Sequence, residues 1–124
     1  MRGKLFELLA SDASRFPGGY LSRGAPPDLE NFLIGVQAFI GAEEDASGGE
    51  TVQFKVCTPR WIADHLGESG ALWGRALLIV DHYDVQVIWD AVATLCASQE
   101  EATWHEIGAQ LSKYGEWEFD FYQP

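Results

Sequence analysis

The sequence predicts an α+β domain: a mostly antiparallel sheet with about three helices packed on one face. Three observations carry this. Short apolar or alternating runs bounded by Gly and Pro recur along the 124 residues and read as strands. Two segments open on helix-start residues, Thr58-Pro59 and Asp84. The element order is strand, strand, strand, helix, strand, helix, helix, strand, with no internal repeat.

Each element has its own reason. Residues 4–10 alternate Leu5, Glu7 and Leu9 against Phe6, Leu8 and Ala10, which suits a strand, with a short helix as the alternative. Pro17, Gly18, Gly19, Gly24, Pro26 and Pro27 then mark a turn-rich loop. Residues 1–30 are expected to belong to the same domain as the α+β core of 31–124. The run Phe32–Ile40, closed by Gly41, reads as a buried strand. An acidic, Gly-rich loop over 41–50 joins it to Thr51–Cys57, where Val52, Phe54 and Val56 alternate with Gln53, Lys55 and Cys57. The pair is expected to be a hairpin.

Thr58 is a natural N-cap and Pro59 suits the first helical position. Ile62 and Leu66 share one face and Gly67 can close the helix, which predicts a helix over 59–66. Ala76–Val80 is apolar at every position and predicts a central strand covered on both faces. Asp84 then caps a long helix with Val85, Ile88, Trp89, Val92, Leu95 and Cys96 on one side. Thr103 with Glu106 forms a capping box for a helix carrying Trp104, Ile107, Leu111 and Tyr114. Gly115 ends it. In the last strand Trp117, Phe119 and Phe121 face the core, and Glu116, Glu118 and Asp120 face away.

The charge bounds function. Eight Lys and Arg against nineteen Asp and Glu give a formal net charge of −11. Residues 1–30 balance, so the whole excess lies in 31–124. Phosphate contacts need clustered Lys and Arg, so neither nucleic acid nor an anionic membrane is an expected partner. A basic protein is. Glu43, Glu44 and Asp45 in the hairpin loop, and Glu116, Glu118 and Asp120 on the last strand, are the candidate contact residues. The alternative for the strand set is a solvated edge that blocks sheet-to-sheet aggregation. Trp73, in the Gly-flanked turn GALWGR, has core packing as its ordinary fate. Exposed, it would be an interface anchor.

Chemistry is thinly supported. His65, His82 and His105 lie on separate elements, and none has metal-ligand spacing. His82 with Asp81, Asp84 and Cys57 could make a small metal-binding or hydrolytic site. The ordinary reading is a surface histidine and a half-buried thiol. No glycine pattern cradles phosphate, so no cofactor is expected. Cys57 and Cys96 form no CxxC, and no export signal or membrane-length apolar run is present. Reduced thiols, a cytoplasmic location and a monomer or weak dimer are the expectations.

The run FKVCTPRWIADHLGESGALWGRALLIVDHYD, followed by TWHEIGAQLSKYGEWEFDFY, resembles the immunity protein 8 family of bacterial polymorphic toxin systems. The likeness covers about residues 30–122. It implies a non-enzymatic inhibitor that binds a cognate toxin made by the same cell. Toxins associated with the family differ in activity and many are nucleases, whose basic clefts an acidic protein could shield. The shared motif residues Pro59, Gly115 and Trp117 are expected to serve the fold.

Overall fold

A computed structural model describes residues 2–44, 50–98, 106–107, 111 and 114–117. It contains strands β1 (Gly3–Ala10), β2 (Leu33–Ala42), β3 (Glu50–Cys57), β4 (Leu77–Ile79) and β5 (Glu116–Trp117). Helix α1 spans Pro59–Asp64 and α2 spans Val85–Ala97. The expected element order holds. The expected third helix falls largely outside the described residues, where only Glu106, Ile107 and Leu111 are seen to be helical. Two helices are therefore described in full rather than three.

The strands form one mixed sheet in the order β1-β2-β3-β4, with β5 also on β3. Three pairings are antiparallel (β1–β2, β2–β3 and β3–β5), and β3–β4 is parallel. The hairpin over 41–50 is as expected, with Ile40 opposite Glu50 and Leu33 opposite Cys57. One face of the sheet is the core face. It carries Leu5 and Leu8 of β1, Ile34, Val36, Ala38 and Ile40 of β2, and Val52 and Val56 of β3. Helix α2 lays Ile88, Val92 and Cys96 onto it, with Ile107 and Leu111 in the same cluster. These positions recur at helical spacing because burying one stripe removes the most apolar surface from water.

Two local departures from simple alternation have physical causes. The β1–β2 register shifts between Leu5 and Glu7. This bulge puts Leu5 and Leu8, three apart, on the same face. Strand β1 also starts hard against α2. A Cβ on Gly3 would lie 2.7 Å from the Cys96 carbonyl oxygen, so only glycine fits there without a backbone shift.

Strand β4 corrects an expectation. Among the described residues it is an edge strand that pairs with β3 alone, not a central one, and Ile79 is 53% exposed. Its uniformly apolar sequence arises because Leu78 packs against the core, Val80 is buried in it, and Leu77 is half-buried on the other face.

Helix α1 buries none of its residues completely. It is held instead by Thr58, which is fully buried. The Thr58 hydroxyl oxygen accepts from the Trp61 N–H at 3.4 Å and from the Phe32 N–H at 3.2 Å. One side chain therefore caps the helix and ties it to the entry of β2. Tyr83 plays a similar part for the turn-rich loop. Its hydroxyl donates to the Leu21 carbonyl at 2.6 Å, its N–H donates to the Leu29 carbonyl, and its ring sits beside Phe16 and Phe32.

Candidate functional site

The sheet topology decides where the candidate contact residues stand. Strand β3 offers its outer edge to two partners: β4 pairs along Lys55–Cys57, and β5 along Val52–Gln53. Strand β5 is antiparallel to β3, with Glu116 opposite Gln53 and Trp117 opposite Val52. The chain there heads toward the hairpin end of the sheet, where Glu43 and Glu44 are exposed in the turn after β2. The Glu43 N–H is fixed to the Arg2 carbonyl at 2.7 Å. Asp45, Glu118 and Asp120, and the side chain of Glu116, lie outside the described residues.

Trp73 settles between its two readings: it is 97% exposed. Its loop leaves the sheet where β4 and β5 meet, since Gly74, Ala76, Tyr114 and Gly115 line one pocket. Leu72 beside it is also exposed. Ala76 holds a φ of 54°, a conformation that costs a residue with a side chain about 1 kcal/mol or more. That turn lets the Ala76 carbonyl accept from the Lys55 N–H at 2.9 Å, which starts β4.

The residues considered for chemistry do not converge. Cys57 is fully buried at the end of β3, flanked by Leu33 on β2 and Ile79 on β4. Burial raises its thiol above the usual range, away from the thiolate that a nucleophile needs. Asp81 and His82 are on the surface. His82 Nε2 lies 3.9 Å from Asp84 Oδ2, while Asp84 Oδ1 accepts from the Gln86 and Val87 N–H groups to cap α2. Among the described residues no cluster of His, Cys, Asp and Glu could hold a metal ion.

A pocket of about 200 Å³ lies between the sheet and α2, lined by Ala38, Ile40, Phe54, Val92, Leu95 and their neighbours. Its described lining includes two titratable groups, Tyr114 and Cys96, and burial pushes the Cys96 thiol up to about 11. Such a thiol stays protonated at neutral pH. No described helix is long and apolar enough to cross a membrane.

The fold and these placements define a small α+β protein that exposes Glu43 and Glu44 in the β2–β3 turn and Trp73 in the loop before β4. The chain belongs to the immunity protein 8 family, which matches residues 14–122. The match begins earlier than the motif likeness near residue 30, so it takes in the loop that Tyr83 ties down. No curated protein and no solved structure matches the chain.

Proposed function

We propose that the protein neutralises a cognate toxin of a polymorphic toxin system by binding it, without chemistry of its own, in the cytoplasm of the cell that makes both. The family match across residues 14–122 carries this reading. The net charge of −11 supports a toxin with a basic surface, such as the substrate cleft of a nuclease. Opposite charge steers the encounter and speeds association. Glu43, Glu44 and Asp45 of the hairpin, with Glu116, Glu118 and Asp120 of the C-terminal strand, are the residues we assign to that contact. Trp73 is the assigned apolar anchor: tryptophan is among the residues most enriched at binding hot spots.

The test pairs this protein with the toxin encoded beside it. Purified together, the two form a stable complex whose association rate falls steeply with salt. Reversing Glu43 and Glu44 to Lys slows association by about tenfold or more. Unchanged affinity after reversal of both acidic segments overturns the site assignment. Failure of the wild-type protein to bind or protect overturns the function.

A further inference from the structure

The two edges of the sheet are built differently. On β1 the edge is guarded by the bulge between Leu5 and Glu7, by exposed Lys4 and Glu7, and by the Leu9–Tyr20 bridge. These are the devices by which natural sheets avoid adding strands. Strand β4 has none of them except shortness. It holds no Pro, no charge and no bulge, and it exposes Ile79.

Its hydrogen bonding shows which groups are open. The Ala76 carbonyl accepts from Lys55, and the Val80 N–H donates to the Cys57 carbonyl at 2.9 Å. Backbone direction alternates along a strand, so residues 76, 78 and 80 face β3. Leu77 and Ile79 therefore turn their N–H and C=O groups outward, and among the described residues nothing pairs with them on that side. The ends of the strand carry opposite charges. Arg75 precedes β4 and Asp81 follows it, both exposed and neither in an ion pair with another described residue.

We propose that β4 pairs with β4 of a second copy of this chain, antiparallel about Leu78, extending the sheet across a two-fold axis. That register sets Leu77 opposite Ile79 of the second copy, twice. Both are outward-facing residues, so each pair exchanges both of its backbone hydrogen bonds. Their side chains meet on the face of the sheet away from the core. The same register brings Arg75 of each copy to the end of the strand where Asp81 of the other stands. An isologous contact requires this kind of self-complementarity. The strand is short and each copy carries −11, so repulsion opposes the pairing and the dimer is weak. The hairpin end and β5 lie along the other half of β3 and stay open. The inference stands apart from the toxin-binding reading.

Sedimentation equilibrium of the full chain tests it, with circular dichroism as the control for folding. The expected result is a monomer–dimer equilibrium with Kd on the order of 100 µM. Ile79→Lys abolishes it. Arg75→Asp and Asp81→Arg each weaken it by about tenfold, because each sets like charges together at both ends. The double swap Arg75→Asp/Asp81→Arg returns it to near the wild-type value. A wild-type chain that stays monomeric at several times that concentration overturns the proposal, as does a dimer indifferent to Ile79→Lys. A double swap no better than the single ones also overturns it. A monomer whose Ile79→Lys variant loses toxin affinity assigns the edge to the toxin and refutes self-pairing.

Discussion

The Thr58 hydroxyl oxygen serves two elements at once, capping α1 and accepting from the Phe32 N–H at the entry of β2. Replacing Thr58 by Val keeps the shape and removes the hydroxyl. Two buried or half-buried donors then lose their acceptor. The N-cap bond to Trp61 is long, at 3.4 Å, so its loss costs about 0.5–1 kcal/mol, the lower part of the range for caps. The Phe32 N–H bond is buried at 3.2 Å, and an N–H left unsatisfied there costs about 1–3 kcal/mol. Together Thr58→Val costs about 1.5–4 kcal/mol, a large part of the roughly 5–15 kcal/mol by which such domains are stable. In a urea titration followed by tryptophan fluorescence, the midpoint falls by about 1–2 M at unchanged slope. Thr58→Ser keeps the oxygen and loses one methyl, for about 1 kcal/mol. If Thr58→Val stays within about 0.5 kcal/mol of wild type, or Thr58→Ser costs as much as Thr58→Val, the double role of this hydroxyl is refuted.

Other expected outcomes follow from the same geometry. Gly3→Ala drives a methyl into the Cys96 carbonyl and destabilises by about 1–3 kcal/mol in the same titration, although alanine ordinarily suits a strand better than glycine. Burial raises Cys96 from 9.0 to about 11 and Tyr83 from 10.0 to about 12. The folded chain therefore keeps protons that the unfolded chain releases. Through these groups stability is unchanged near neutral pH and falls as the pH rises through the thiol range, first through Cys96 and Cys57, whose thiol burial also raises, and then through Tyr83. Cys96→Ala, titrated at each pH, removes its share of the first part of that decline. Neither cysteine of the folded protein is alkylated at pH 8, and both are once it is unfolded. Trp73→Ala leaves stability within about 0.5 kcal/mol and lowers toxin affinity by about thirtyfold or more in a calorimetric titration.

Local signals in the sequence were sufficient where an element is specified by its own residues. The Thr58-Pro59 start of α1, the Asp84 cap and apolar stripe of α2, and the 41–50 hairpin are all of this kind. The alternation of β3 located its core face as well. Legibility failed where long-range pairing overrides local pattern. The bulge in β1 reverses the parity of its side chains, so alternation alone left strand and helix both open there. The uniform apolarity of Ala76–Val80 has the signature of a central strand, yet among the described residues its partner lies on one side only, and nothing local encodes that. Tyr83 stood in the DHYD run as a neighbour of possible ligands, while its work is to hold the loop through Leu21 and Leu29. Trp73 was readable as core or surface, and only the position of its loop at the β4–β5 junction decides. The acidic residues were identifiable one segment at a time. The direction of β5, which carries Glu116–Trp117 along β3 toward the hairpin end, is not given by sequence spacing.

The central claim is that this chain binds and silences a toxin. Co-expression with the toxin encoded next to it is the most direct measurement. Cells making the toxin alone stop growing, and the account predicts that growth returns when this protein is made at an equal level, with the two recovered as a stable complex. Continued growth arrest with the protein present, folded and free of the toxin would contradict it.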